Sequence, residues 1–177
     1  MTDGAQPRGL PTTPEFHAVI ADRSDRWYAA CLRITKDPDL AADAVQDGLL
    51  SAWRKREQYD RDASLDTWIH RITINAALQL LRKRKPERWL PMLEEQVDTT
   101  TLPDSAQSDR ELEASLGRAL SALSDMEQLC FVLKHLEQWR LAEIAERLDV
   151  NVGTIKQALF RGVRKLRIGM PDLRSTS

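Results

Sequence analysis

The chain has 177 residues and a formal net charge of −1, with 42% hydrophobic and 30% charged residues. These proportions are typical of a water-soluble globular protein, and no apolar run approaches the roughly 20 residues that span a bilayer. The first residues, MTDGAQPRGLPTTP, lack the apolar stretch of a signal peptide. The chain is therefore expected to be cytoplasmic, with a disordered tail at residues 1–13.

Residues that carry chemistry are few and scattered. Cys31 and Cys130 are far apart, and neither has a second Cys or a His at metal-ligand spacing, so both are expected to be small core residues. His17, His70 and His135 are also far from one another. There is no glycine-rich phosphate loop and no nucleophile motif. The sequence therefore predicts neither an enzyme nor a metal site nor a bound cofactor.

The first part of the chain is helical in pattern, with Ala, Leu, Arg, Glu and Gln dominant and no strand-like alternation. A first helix is expected from about Pro14 to Ile34. Asp37 is expected to cap a second helix, which begins at Pro38 and ends near Lys55. Ser64 is expected to open a third helix that ends near Lys85. The inward face of the third helix is expected to comprise Leu65, Trp68, Ile69, Ile72, Ala76 and Leu80, and its outward face Thr67, His70, Arg71, Ile74 and Asn75.

The composition changes after the third helix. The stretch PERWLPMLEEQVDTTTLPDSAQ holds three prolines and five acids against one Arg, which is the composition of a linker. Helical spacing resumes at Asp109. Three further helices are then expected at about Asp125–Leu136, Leu141–Leu148 and Val152–Ile168. The predicted fold is all-α, with two small helical domains (14–86 and 108–170), a flexible acidic linker (87–107) and a tail (171–177).

The last two helices have the pattern of a helix-turn-helix. Asn151 is expected to cap the second of them through its side-chain oxygen. The inward positions are expected to be Val152, Ile155, Leu159 and Val163, and the outward positions Thr154, Gln157, Ala158 and Arg161. The segment Thr154–Arg167 contains no acid and five cations: Lys156, Arg161, Arg164, Lys165 and Arg167. A merely solvated helix normally mixes both signs, so this run favours nucleic-acid binding over solvation.

A second basic region ends the third helix, where Arg82–Lys85 are four consecutive cations. Cations beside an aromatic residue such as Trp68 suit single-stranded nucleic acid, because bases stack on rings while cations hold phosphates. The alternative for Trp68 is a core tryptophan, which is favoured for most of its surface. Two separate basic surfaces would be unusual in a simple repressor.

Taken in order, three segments are similar to those of a known family. They are DAVQDGLLSAW (43–53), SLDTWIHRITINAALQLLRKRK (64–85) and LAEIAERLDVNVGTIKQALFRGVRKLR (141–167). Together they resemble a bacterial sigma factor of the extracytoplasmic-function (ECF) type, in the sigma-70 family, over about Phe16 to Arg167. The resemblance implies that these segments grip the clamp of core RNA polymerase, melt and read the −10 promoter element, and read the −35 element, respectively.

The resemblance also implies particular contacts. Core polymerase would be contacted by Asp43, Gln46, Asp47 and Leu50. The −10 DNA would be contacted by Tyr59, Asp60, Asp62, Ser64, Trp68, His70, Arg71, Asn75, Arg82, Lys83 and Arg84. The −35 DNA would be contacted by Asn151, Thr154, Lys156, Gln157, Arg161, Arg164 and Lys165. Within the −10 set, the loop from Tyr59 to Ser64 would hold a flipped base.

The partners implied are core RNA polymerase, promoter DNA and an anti-sigma factor, with no small-molecule substrate. In the family the anti-sigma factor is often membrane-anchored, which implies sequestration of the sigma factor at the inner membrane. The acidic linker resembles the segment threaded toward the polymerase active site; the alternative is a plain solvated tether.

Several positions depart from the family pattern. Gln79 stands where the family often has Asp, and Ala158 stands where it often has Arg on the recognition helix. Arg140 replaces the usual Ser or Thr cap of the first motif helix, so that helix is expected to begin less firmly. Ser124 stands where proline is common. These departures affect promoter specificity rather than the class of protein.

Two other interpretations remain open at this point. The chain could be a stand-alone helix-turn-helix regulator whose first helices sense a ligand or dimerise. It could also be a helical adaptor that binds only protein, although that would leave the acid-free run unexplained. The acidic face of DAVQDGLLSAW together with the tetrabasic helix end distinguishes the sigma-factor interpretation, because a ligand-sensing domain requires neither.

Overall fold

The computed structural model describes residues 9–93 and 117–169. The regular secondary structure of those residues is helical, with no strand among them, and the predicted all-α fold is confirmed. The helices are α1 (Thr13–Thr35), α2 (Pro38–Arg54), α3 (Leu65–Arg84), α4 (Pro86–Leu93), the described end of α5 (117–121), α6 (Asp125–Phe131), α7 (Leu141–Leu148) and α8 (Val152–Gly169). A 3₁₀ turn (Arg56–Gln58) follows α2, and a π-helical segment (Val132–Leu136) continues α6.

The chain divides into two compact units, Met1–Pro86 and Glu87–Ser177. Most of the expected N-terminal tail, most of the expected acidic linker, the beginning of the helix at Asp109 and the expected C-terminal tail lie outside the described residues. In the described ranges, no helix is both long and apolar enough to cross a membrane.

Local capping explains where α2 and α3 begin. The Asp37 carboxylate accepts hydrogen bonds from the amides of Asp39 and Leu40 at 3.0 and 3.1 Å. The Ser64 hydroxyl accepts one from the amide of Thr67 at 3.1 Å. Each cap supplies an acceptor to an amide that has no partner within its own helix. Both predicted caps are confirmed.

The first unit is a three-helix bundle in which α1, α2 and α3 pack against one another. One core cluster consists of Phe16, Trp27, Ala52 and Ile69, with the partly buried Val19, Ile20, Val45, Leu49, Leu65, Trp68 and Ile72 around it. At the crossing of α2 and α3, a Cβ atom on Gly48 would lie 2.4 Å from Cγ2 and 2.7 Å from Cα of Thr73. The two helices therefore approach so closely that only glycine fits at this position.

The face of α3 predicted to point outward is partly buried in the bundle. Ile74 is completely buried and His70 is nearly so, and the expectation that they face outward is wrong. The reason is that α3 packs against both α1 and α2, so its buried surface is wider than the single stripe that the spacing suggested. The buried residues of α3 are Ile69, His70, Thr73, Ile74, Ala77, Leu78, Leu80 and Leu81.

The second unit places α6 and α7 against α8. One core cluster contains Ala119, Leu120, Leu123 and Leu166, with Phe131 partly buried beside it. The expected helix Asp125–Leu136 is α-helical only to Phe131; after that the backbone widens, as the bond from the Glu137 amide to the Val132 carbonyl at 2.9 Å shows. Cys31 in the first unit and Cys130 in the second are both buried, as predicted.

The inward face of α8 differs from the predicted one. Ile155 is buried as expected, but Ala158 is also completely buried, whereas Val152, Leu159 and Val163 are only partly buried. Ala158 and Gly162 are small and one turn apart, so they allow α8 to lie close to its neighbours. The expected outward position of Ala158 is therefore wrong.

Candidate nucleic-acid interface and protein-binding face

One face of α2 brings together four residues that were expected to bind polymerase. Asp43, Gln46, Asp47 and Leu50 follow the spacing i, i+3, i+4, i+7, which places them in a single stripe. Gln46 and Asp47 are exposed, Leu50 is 54% exposed, and Asp43 is half-buried. An acidic stripe with an exposed leucine at one end is suited to binding another protein.

An apolar groove of about 490 Å³ lies beside this stripe, between α1 and α2. Its lining consists of Thr13, Phe16, His17, Ile20, Gln46, Leu49, Leu50 and Trp53. Trp53 is 38% exposed; its ring packs edge-on against Phe16 at 5.2 Å and carries the Arg56 guanidinium over its face at 4.5 Å. Sequence reasoning missed Trp53 as a surface residue, although it ends the DAVQDGLLSAW segment.

Two of the expected contact residues pair with each other. Arg84, expected at the −10 DNA, forms an ion pair with Asp43, expected at polymerase. The neighbouring Lys85 Nζ lies 3.7 Å from the carboxylate of Asp37 at the start of α2. The end of the basic helix is thus held against α2, while Arg82, Lys83 and Arg84 remain exposed.

The loop between the 3₁₀ turn and α3 is closed by its own hydrogen bonds. The Tyr59 hydroxyl donates to the Ala63 carbonyl at 2.7 Å, and the Asp60 carboxylate accepts from the Asp62 amide at 3.0 Å. The Tyr59 ring is buried, 5.2 Å from that of Trp68, and this burial raises the pKa of Tyr59. Tyr59 therefore shapes the loop from inside, whereas Asp60, Asp62 and Ser64 are exposed.

Along α3, the expected DNA-contacting residues are divided between surface and core. Thr67 is exposed, while Arg71 and Asn75 are half-buried. The Asn75 Oδ1 is itself buried and accepts no hydrogen bond from the part of the chain that the structure describes. His70 is buried, and the expectation that its ring is a surface contact is wrong for the reason given above: α3 is packed on two sides. Trp68 is half-buried, in agreement with the core interpretation of most of its surface.

Asp66, in the first turn of α3, is a structural residue that sequence reasoning missed. Its carboxylate accepts hydrogen bonds from the Trp27 indole and from Arg26, both at 2.8 Å. These partners lie on α1, about forty positions away in sequence. No local pattern connects residues at such separation, so nothing in the sequence indicated this contact.

Asn151 caps the beginning of α8, the second helix of the predicted helix-turn-helix, as expected. The Asn151 Oδ1 accepts hydrogen bonds from the Thr154 amide at 2.8 Å and from its hydroxyl at 3.2 Å. The side chain of Asn151 therefore serves the helix end. Before it, α7 receives no side-chain cap from Arg140, and the Glu143 carboxylate accepts the Arg140 amide instead at 2.8 Å.

The exposed face of α8 is a continuous stripe. It comprises Gly153, Lys156, Gln157, Phe160, Arg164, Arg167 and Ile168. Lys156, Gln157 and Arg164 are exposed as predicted, but Phe160 was missed, although it is 71% exposed. Its position, three residues after Gln157 and four before Arg164, already placed it on that face. An apolar ring between polar and cationic side chains is a surface that can read base edges in a major groove.

The other two predicted cations of α8 are bound to a carboxylate. Arg161 Nε lies 3.2 Å and Lys165 Nζ 2.8 Å from the two oxygens of Glu127, which is only 2% exposed. Burial alone would raise the pKa of Glu127, but hydrogen bonds from Lys165, the Ser124 amide and Arg161 outweigh burial and lower it. The expectation that Arg161 faces outward is wrong. The run Thr154–Arg167 contains no acid of its own, but Glu127 on α6 supplies one and holds Arg161 toward the protein.

Comparison with known proteins follows the same two-part division. Residues 20–87 match the family model sigma-70 region 2, and residues 113–166 match sigma-70, region 4. The chain is 28% identical over 168 residues to the ECF RNA polymerase sigma factor SigW of Bacillus subtilis, covering 89% of this chain and 90% of that protein. It is 29% identical over 182 residues to the ECF RNA polymerase sigma factor SigG of Mycobacterium tuberculosis, covering 89% of this chain and 49% of that protein.

A solved structure shares the fold. It is the sigma factor RpoE from Bartonella quintana in complex with the anti-sigma factor NepR. The TM-score is 0.55 at 21% sequence identity, and the match covers 88% of this chain and 96% of that chain.

Proposed function

Because the chain belongs to the extracytoplasmic-function group of the sigma-70 family, we propose that it binds core RNA polymerase and directs transcription initiation at its own set of promoters. It does no covalent chemistry itself. Residues 14–86 act as the polymerase-binding and −10-melting domain, and residues 108–170 as the −35-reading domain. The observation that carries the proposal is the exposed, acid-free stripe of α8, set behind a short turn from α7.

The polymerase-binding face is the stripe of Asp43, Gln46, Asp47 and Leu50 together with the groove beside it. The acids attract a cationic partner helix, while Leu50 and Trp53 provide apolar surface that is buried on contact. Asp43 also forms an ion pair with Arg84. If core polymerase binds the Asp43 carboxylate, Arg84 at the edge of the −10 surface is released from that pair.

The −10 surface consists of exposed and half-buried residues of α3 and its preceding loop. Arg82, Lys83 and Arg84 hold strand phosphates, while Asp60, Asp62 and Ser64 at the loop edge bound the pocket for a flipped base. Arg71, Asn75 and the accessible part of Trp68 line the strand between these ends. Tyr59 and His70 support this surface from within.

The −35 surface is the exposed stripe of α8, laid in the major groove. Gln157 presents both a donor and an acceptor to base edges, and the Phe160 ring can pack on a thymine methyl group. Lys156, Arg164 and Arg167 hold phosphates on the flanks of the groove. Thr154, capped by Asn151, lies at the N-terminal end of the helix, where backbone amides favour a phosphate.

We also propose control by an anti-sigma factor, in the cytoplasm where core polymerase is found. The related RpoE forms such a complex with NepR. The apolar groove between α1 and α2 is a surface that an inhibitor could cover, and doing so would block the acidic stripe beside it. An anti-sigma factor anchored in the inner membrane would hold the chain there.

The decisive experiment is reconstituted transcription. The purified chain is mixed with core RNA polymerase and a library of fork-junction promoters with randomised −35 and −10 elements. Specific initiation from a subset of promoters is expected, and replacing Asp43, Gln46 and Asp47 with alanine should abolish it while leaving the helical content unchanged. Specific binding to duplex DNA without polymerase, and no initiation with it, would instead support a stand-alone helix-turn-helix regulator.

A further inference from the structure

A carboxylate buried beneath the recognition helix has no part in the proposed contacts with DNA. Glu127 lies in the first turn of α6, and its Oε2 accepts hydrogen bonds from the Ser124 amide at 3.1 Å and from Lys165 Nζ at 2.8 Å. Its Oε1 accepts one from Arg161 Nε at 3.2 Å. One buried acid thus joins the beginning of α6 to two successive turns of α8.

The geometry of α8 separates these two cations from the exposed stripe. Arg161 and Lys165 are four residues apart and lie on one side of the helix, while Lys156, Phe160 and Arg164 lie on the neighbouring, exposed side. The side chains of Arg161 and Lys165 are 29% and 22% exposed, so they are directed mainly into the protein.

Rotating α8 to bring Arg161 and Lys165 toward a phosphate backbone would strip Glu127 of both cations. A buried carboxylate that keeps only the Ser124 amide and loses both cations is strongly unfavourable, so the ion pairs oppose such a rotation. The same rotation would also turn Gln157 and Phe160 away from the groove. Glu127 therefore influences DNA recognition by fixing the rotation of α8 about its axis, without contacting DNA itself.

We propose that Glu127 is a positioning residue for promoter recognition: it fixes the rotation of α8 about its axis and withholds Arg161 and Lys165 from the DNA backbone. This inference rests on the proposed −35 function of α8. Of the five cations in the acid-free run, only Lys156, Arg164 and Arg167 then remain for phosphates. Phosphate contacts supply the sequence-independent part of DNA affinity. Because Glu127 binds Arg161 and Lys165, that part is smaller, and discrimination between DNA sequences depends on Gln157 and Phe160.

The test uses holoenzyme formed from the full chain and core polymerase, on a promoter selected by the wild type from the library. Binding is measured against salt concentration on that promoter and on a matched fragment with a scrambled −35 element. Each phosphate contact contributes about 0.9 to the slope of log K against log salt. The variants are Glu127→Gln, Arg161→Gln and Lys165→Gln, and the matched control on the exposed stripe is Arg164→Gln.

Arg164→Gln is expected to flatten the slope by about 0.9, whereas Arg161→Gln and Lys165→Gln should leave it at the wild-type value. Glu127→Gln frees two cations and should steepen the slope by about 0.9 for each one that reaches a phosphate. It should also reduce the affinity ratio between the promoter and the scrambled fragment.

Flattening by Arg161→Gln or Lys165→Gln equal to that by Arg164→Gln would overturn the inference. So would a Glu127→Gln variant that weakens both fragments equally at an unchanged slope, because that is the behaviour of a merely structural residue. If Glu127→Gln does not fold, the two single-cation variants decide, since each leaves Glu127 one cation and the Ser124 amide. If the wild-type holoenzyme initiates at no promoter, the proposed function itself is overturned. If the wild type does initiate and the variants give either contradicting result, only the inference about Glu127 fails.

Discussion

Replacing Gly48 with alanine tests whether the close crossing of α2 and α3 holds the first unit together. The new Cβ would lie 2.4 Å from Cγ2 and 2.7 Å from Cα of Thr73. Ordinary contact begins at 3.4 Å, so the backbones must separate by about 0.7 Å at this point. Overpacking costs about 1–3 kcal/mol, and movement of backbone places this case in the upper half of that range.

Helix propensity acts in the opposite direction, because alanine is favoured over glycine in a helix by about 1 kcal/mol. The expected net loss for Gly48→Ala is therefore about 1–2 kcal/mol of unfolding free energy. In a domain of this size, each kcal/mol lowers the melting temperature by about 4–8 °C. Because α2 carries the proposed polymerase-binding stripe, affinity for core polymerase should fall as well.

Differential scanning calorimetry of the full chain measures this effect, with Gly162→Ala as the control. A Cβ at Gly162 would meet nothing closer than Glu127 Cβ at 3.6 Å, so that variant should keep or raise the melting temperature. The double variant Gly48→Ala, Thr73→Ser removes the methyl clash but leaves the clash with the backbone of α3, so only part of the loss should return. An unchanged melting temperature for Gly48→Ala, or complete recovery in the double variant, would refute the reasoning.

Three further outcomes are expected. The folded-state pKa of Glu127 is lowered from 4.5, so its stabilisation is present above that value and lost as pH falls through the lowered pKa. Urea unfolding from pH 7 to pH 3 should therefore show a smaller loss of stability in Glu127→Gln than in wild type, because Glu15 and Asp37, whose pKa values are also lowered, titrate in both proteins. Ser124 has φ −64°, which proline can adopt, but proline lacks the amide that donates to Glu127 and the capping hydroxyl; Ser124→Pro should therefore cost about 1–2 kcal/mol by urea unfolding, more than Ser124→Ala. Phe160→Ala should leave stability unchanged. If the Phe160 ring packs on a thymine methyl, replacing that thymine with deoxyuridine should weaken DNA binding by wild type about fourfold, which corresponds to about 0.8 kcal/mol per buried methyl, and should leave binding by the variant unaffected. Equal sensitivity in both proteins would exclude the contact.

Features set by near neighbours in the chain could be predicted well. The caps at Asp37, Ser64 and Asn151 each join a side chain to an amide two or three residues later, so residue type and local spacing are sufficient to find them. The stripe of Asp43, Gln46, Asp47 and Leu50 is likewise a consequence of helical geometry within two turns.

Features set by distant segments could not be predicted in the same way. The buried faces of α3 and α8 depend on how many helices pack on them, and for this reason His70 and Ala158 were expected on the wrong side. The same limit applies to the pairing of Asp43 with Arg84, which are 41 positions apart.

The sequence by itself determined the all-α class, the order of the helices and the resemblance to a sigma factor, because helical periodicity, capping residues and family motifs are local or ordered along the chain. Only the tertiary structure decided which cations of α8 are available to DNA. Glu127 is 34 and 38 positions from Arg161 and Lys165, and only packing of α6 against α8 brings the buried acid to them. Leaving that buried acid without its cations would cost far more than leaving a surface acid unpaired, so the fold determines which cations of α8 are held inside and which are exposed.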